Sequence, residues 1–179
     1  MDKKILILSG SPRLGGNSER LCLEFARGAR EVGHEVELVY LAEKEIAYCD
    51  GCNACAETHR CIHDDDMTDI LQAMIDADAI VLATPVYFYT MDAQLKTVID
   101  RTCCRYTEIS DKDFYFIITA ADTDLAKLQL TVETLRGFTD WCLPNPRERG
   151  VIIAEGVWKV GEIDDHPAMG RAYEMGKAV

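Results

Sequence analysis

The chain has 179 residues, enough for one domain with a real core, and 48% of them are apolar, which excludes a chain too polar to fold. The formal charge is −12, so DNA, RNA and anionic membranes are repelled, and neither a nucleic-acid nor a membrane partner is expected. No apolar run approaches the ~20 residues that cross a bilayer, and the N-terminal segment reads as a first strand rather than a signal peptide, so the expected location is the cytoplasm.

Strand and helix patterns alternate along the chain. Lys4 to Ser9 is a short apolar run ending in a glycine loop, as a buried parallel strand would be. Leu21, Phe25, Ala29 and Val32 recur at helical spacing, and Gly33 is a natural stop. Val36, Leu38 and Tyr40 alternate as a second strand. An irregular stretch from about Glu45 to His63 carries four cysteines, and Asp64 to Asp66 then suit the positive end of a helix dipole. Met67, Ile70, Leu71, Met74 and Ile75 predict an amphipathic helix. Ala79 to Thr84 is a third strand closed by Pro85. Leu95, Val98 and Ile99 mark a helix, Phe114 to Thr119 a fourth strand, Leu125 to Phe138 another helix, and Gly150 to Ala154 a fifth strand. The tail from Pro167 is weakly helical. No linker interrupts the pattern, so residues 1–179 read as one α/β domain. Its five-stranded parallel sheet is doubly wound, with helices on both faces. Ligands of such sheets sit beyond the carboxyl ends of the strands, which directs attention to the loops after Leu8, Thr84 and Thr119.

The first of these loops, Ser9 to Ser18, is rich in glycine and leads straight into a helix. Free amides at a helix start favour an anion, and glycine lets the backbone approach it. Ser11, Asn17 and Ser18 can donate to phosphate oxygens, and Arg13 adds a charge-assisted contact. The loop is neither a Walker A nor a Gly-x-Gly-x-x-Gly fingerprint, and a monophosphate is the natural fit. An ordinary turn with an Asn or Ser cap is the alternative.

Eight cysteines are many for a chain of this kind. Cys49-x2-Cys52-x2-Cys55-x5-Cys61 opens with the spacing that wraps a cubane in bacterial ferredoxins, and it points to one [4Fe–4S] cluster. Zinc fits less naturally, because structural zinc sites come as separated pairs. A cluster-free loop folded over a ligand stays open as an alternative. His59 and His63 read as solvent-exposed loop residues. Cys22, Cys103, Cys104 and Cys142 read as small hydrophobes that fill space.

Gly10-Ser11-Pro12-Arg13 with Gly16-Asn17-Ser18 resembles the phosphate loop of the NADPH-dependent FMN reductases and the related iron–sulfur flavoproteins. Thr84 to Thr90, then Gln94-Leu95-Lys96 and Ile99-Asp100-Arg101, look like that family's second flavin loop and its helix. The cysteine stretch ending in Asp65-Asp66-Met67 also looks like theirs. The resemblance implies a flavodoxin-like sheet in the order 2-1-3-4-5, bound FMN, and a homodimer or homotetramer. It implies that Ser9, Ser11, Arg13, Gly16, Asn17 and Ser18 hold the phosphate. Pro85, Val86, Tyr87, Phe88 and Tyr89 would line the isoalloxazine, and Ala120 would close the third side. Cys49, Cys52, Cys55 and Cys61 would be the cluster ligands.

The expected function is an FMN oxidoreductase that passes electrons between the flavin and the cluster, with a small-molecule or protein donor and acceptor. A cluster-free reductase using NAD(P)H is the alternative, and a non-catalytic thiol or iron–sulfur sensor is the rival of another class. No side-chain triad for acyl or phosphoryl transfer is present, so no residue is assigned as catalytic. Residues from about Lys127 to Val179 add little beyond the fold in this reading, and a C-terminal contact to the flavin is not expected.

Overall fold

The computed structural model describes residues 2–179. Five parallel strands, β1 (Lys4–Ser9), β2 (Glu35–Tyr40), β3 (Ala79–Pro85), β4 (Asp113–Thr119) and β5 (Arg147–Ala154), pair in the order β2-β1-β3-β4-β5. The helices are α1 (Asn17–Glu31), a single turn α2 (Cys55–Thr58), α3 (Met67–Asp76), α4 (Ala93–Arg101), α5 (Leu125–Cys142) and α6 (Ala168–Lys177). The flavodoxin-like order expected from the resemblance is therefore the observed one.

The central strands are apolar throughout because both faces are covered. Ile5 and Ile7 face Leu21, Phe25 and Ala29 of α1, while Leu6 and Leu8 face Met67, Leu71, Met74 and Leu95 on the other side. Burying each large aliphatic side chain is worth roughly 1.5–3 kcal/mol. Two such layers per strand leave little choice of fold.

β5 begins three residues before the apolar pattern does. Arg147, Glu148 and Arg149 lie on the sheet edge and are exposed, so hydrophobicity carries no trace of them there. β3 runs one residue longer than expected, since Pro85 pairs with Thr119. A proline is tolerated at a strand's end, where its missing N–H is not needed.

The tail forms a full helix. α6 packs against α1 at two glycines: a Cβ on Gly28 would collide with the Tyr173 backbone, and one on Gly176 with the Phe25 backbone. These close approaches set α6 directly against α1.

Candidate functional site

A cleft opens at the carboxyl edge of the sheet, where the loops after β1, β3 and β4 meet. Ser11, Arg13, Asn17, Ser18, Pro85, Val86, Tyr87 and Ala120, all named as candidates from sequence, line it together with Thr119, Ala121, Val157 and Trp158.

The floor is the start of α1. Gly16 is its N-cap in an extended conformation, and no side chain caps the helix, so the amides of the first turn stay available to an anion. A Cβ on Gly16 would sit 2.8 Å from the Arg13 carbonyl, which makes glycine obligatory at this position. Ser11 Oγ accepts from the Arg13 amide at 3.2 Å and shapes the turn. Ser18 Oγ and Thr119 Oγ1 bond to each other at 2.7 Å, tying the helix start to the end of β4.

Two predicted phosphate donors are already engaged. Arg13 Nη1 donates to the Trp158 carbonyl at 3.0 Å, with its guanidinium carbon 5.6 Å from the indole centroid. Asn17 Nδ2 donates to the Lys159 carbonyl at 3.0 Å, and its Oδ1 accepts from the Gly161 amide at 3.1 Å. The segment from Glu155 to His166 is thus a strap over the cleft. The Val157 amide donates to the Ala120 carbonyl, Glu162 bonds the Trp158 and Lys159 amides, Arg20 pairs with Asp164, and Ile163 is fully buried. The stretch from about Lys127 to Val179, of which little beyond the fold was expected, supplies this strap. Trp158 stands four residues past the carboxyl end of β5, and the Val157–Ala120 bond holds it beside the cleft.

Other expected residues stand apart from the cleft. Ser9 is buried at the end of β1, against Cys22 rather than among the cleft residues. Phe88 is fully exposed, and Tyr89 is held aside by its hydroxyl, which donates to Asp122 at 2.8 Å. Both have positive φ, 50° and 61°, in a tight turn closed by reciprocal Tyr87–Thr90 backbone bonds. The amides of Phe88 and Tyr89 take no part in that pairing. Beneath the turn, Asp92 caps α4 by accepting from the Leu95 amide and from Thr84 Oγ1, and burial pushes its carboxyl up to about 6.

The cysteine loop lies at the far end of α4. Its neck is clamped: the Asp65 carboxylate accepts two bonds from Arg101, at 2.7 and 2.9 Å, and one from the Ala47 amide, while Arg101 also donates to the Ala47 carbonyl. The bond to Arg101 holds the Asp65 carboxyl below its ordinary value. Asp66 accepts from the Glu45 amide. The expected role of these acids, at a helix start, is therefore secondary to closing the loop. Arg101 is 2% exposed; the sequence placed it in the Ile99-Asp100-Arg101 motif of the family's helix but assigned it no role.

Beyond the neck the loop is mostly exposed. Cys49, Cys52, Cys55 and Cys61 all line one mainly apolar cavity, joined by Arg101, Cys103 and Cys104. Among the described residues, no three Cys, His, Asp or Glu side chains converge into a ready ligand set. Arg101 Nε is buried without a partner, which leaves a cationic donor for an anionic group beside the thiols. Four thiols with an unspent guanidinium N–H are the donor chemistry that a thiolate-bound iron–sulfur cluster takes. His63 is half-buried and pairs with Asp50 at 3.0 Å, whereas His59 is exposed as expected. Cys22 and Cys104 are buried as expected, but Cys103 and Cys142 are exposed. Cys142 ends α5 and Cys103 lies in the turn after α4, and neither fills space.

Among the described residues no helix is long and apolar enough to cross a membrane. An iron-sulfur flavoprotein of Methanocaldococcus jannaschii is 44% identical over 99 residues, 55% of this chain and 51% of that one. Another, of Methanosarcina thermophila, is 41% identical over 55% of this chain and 52% of its own. The chain spans about half the length of these curated relatives. The solved NAD(P)H:quinone oxidoreductase of Methanothermobacter marburgensis superposes with a TM-score of 0.75 at 18% identity, covering 99% of this chain and 96% of that one. An FMN-dependent NADH-azoreductase of Bacillus anthracis, solved with FMN, gives 0.75 at 14% identity, covering 99% of each chain. Both likenesses show the fold. The sequence pattern of one family, described as NADPH-dependent FMN reductase, matches residues 3–138, and the chain belongs to that family.

Proposed function

We propose that this protein is an FMN-dependent oxidoreductase that passes electrons between FMN in the strapped cleft and a [4Fe–4S] cluster on Cys49, Cys52, Cys55 and Cys61. The observation that carries the reading is the meeting of the loops after β1, β3 and β4 in one cleft over an uncapped helix start. When bound, FMN supplies two-electron or hydride chemistry and the cluster supplies single-electron chemistry. The chain's own part is to bind and orient. The first-turn amides of α1, Ser11 and Arg13 would receive the phosphate, Arg13 exchanging the Trp158 carbonyl for it. Pro85, Val86 and Tyr87 would flank the ring, and the amides of Phe88 and Tyr89, unpaired in the turn, would be open to its polar edge. Ala120 and Trp158 would close the remaining sides.

α4 links the two sites, its N-cap Asp92 beneath the flavin turn and its last residue Arg101 lining the thiol cavity. The donor and acceptor are a small molecule or a protein. A homodimer or homotetramer belongs to the proposal, since it would cover the fully exposed Phe88. The unconverged thiols favour one second reading, a cluster-free reductase that takes electrons from NAD(P)H.

The test is an absorption spectrum with iron and sulfide assays on protein purified without oxygen. Flavin bands on a broad shoulder, with about four irons per chain, support the first reading. Flavin without iron selects the second, and absence of flavin overturns both.

A further inference from the structure

Cys103 sits in the 3-10 turn Thr102–Cys104 that ends α4, and it is exposed. Its Sγ lies 3.6 Å from Cys55 Sγ, across 48 positions of sequence. Both sulfurs border the cavity that the loop cysteines line. The two sides of this contact differ in firmness. Thr102 and Cys104 are buried on either side of Cys103 and fix its backbone, whereas Cys55 begins a four-residue helical turn whose other residues are exposed. A disulfide needs its sulfurs about 2.05 Å apart. The remaining distance is a side-chain rotation plus a small shift of the exposed turn.

We propose that Cys55 and Cys103 are a disulfide-forming dithiol, a modification site that closes in the iron-free chain on reaction with a low-molecular-weight disulfide. One thiolate of the pair attacks the small disulfide, forms a mixed disulfide and expels one thiol. The other protein thiol then displaces the second. Two protein thiols lose two electrons and two protons, and one small disulfide becomes two small thiols. The product pins the cysteine loop to the end of α4 at a second point besides the Asp65–Arg101 clamp and withdraws Cys55 from any metal. The inference stands on the thiol contact and does not need the cluster reading to be right.

The experiment uses the 179-residue chain, loaded with FMN, freed of iron with a chelator and treated with hydroxyethyl disulfide at mildly alkaline pH. Free thiols are then counted and peptides mapped after alkylation. The expected result is a loss of two of the eight thiols and a Cys55 peptide linked to a Cys103 peptide. Cys103→Ser should abolish the link and leave the probe as a stable adduct on Cys55, and Cys104→Ser should leave the link intact. A Cys49–Cys52 link in place of it, or adducts on exposed thiols with Cys55 and Cys103 both unlinked, would overturn the proposal. Iron and sulfide content, measured on untreated protein, report separately on the cluster reading.

Discussion

The loop after β1 and the cysteine loop occupy opposite ends of α4 and are built in opposite ways. The first is short, and it is braced from outside by the strap through Arg13, Asn17 and Arg20. The α1 amides proposed to bind an anion are in place before any ligand arrives. The second is held only at its neck, by Asp65, Asp66 and Arg101, and beyond that point its thiols are gathered but not converged. The contrast follows the bonds each ligand would make. A phosphate is held by many weak hydrogen bonds, so the cost of ordering the loop must be met in folding. Metal–thiolate bonds are strong enough to order a loop by themselves, so the fold need only bring the thiols near one another.

The neck is where that contrast breaks most visibly. Arg101→Ala removes a buried guanidinium and strands the Asp65 carboxylate, a loss of about 3–5 kcal/mol for a buried pair. The melting temperature should fall, and protease cleavage between residues 45 and 66 should accelerate while the strap stays resistant. Arg101→Lys should recover part of the loss, because a lysine cannot make the two-pronged contact. Equal protection of the cysteine loop in Arg101→Ala and the parent would show that the neck is not what holds it.

The braced end carries a hidden cost of its own. Asp92 lies under Gly10, where an added Cβ would sit 2.5 Å from its carboxylate, and burial raises its pKa to about 6. The folded value lies above the ordinary 3.8, so the protonated form is the one folding favours. Asp92 therefore contributes stability at low pH that is lost as pH rises from about 4 to about 6, up to about 3 kcal/mol. Asp92→Asn keeps an acceptor for the Leu95 amide and removes the titration. Urea midpoints from pH 4 to pH 7 should show the variant gaining on the parent across that window, and parallel profiles would contradict the assignment.

How much of each end was legible in the sequence follows from the range of the interactions that build it. The β1 loop could be read because a strand, glycines and a helix start are consecutive. The thiols could be read because their spacing is local. The sheet order was legible through the resemblance, since periodicity gives strands but not their neighbours. The strap was not legible: Trp158 and Lys159 meet Arg13 and Asn17 across 145 and 142 positions of sequence, contacts that no local pattern announces. Arg101 was hidden for the same reason, as its partners Ala47 and Asp65 lie 54 and 36 positions away. Cys103 was misjudged because residue type alone favours burial for cysteine, whereas exposure depends on where α4 ends.

Asn17 is the residue at which sequence and structure assign different work, and a pair of substitutions separates them with the smallest expected effect. As a strut, its side chain donates to the Lys159 carbonyl and accepts from the Gly161 amide. Asn17→Ala removes both bonds, worth roughly 0.5–1.5 kcal/mol each, so the strap should loosen and the melting temperature should drop slightly. Asn17→Asp keeps the acceptor for Gly161 and loses only the donor, so the strap should suffer less. The new carboxylate, however, stands in the first turn of α1, where the phosphate is proposed to sit, and like charges there oppose binding. FMN affinity should therefore fall further in Asn17→Asp than in Asn17→Ala, while stability ranks the other way. Riboflavin, which lacks the phosphate, should bind the two variants alike. If FMN and riboflavin both follow the stability ranking, Asn17 is a strut only and the phosphate lies elsewhere in the cleft.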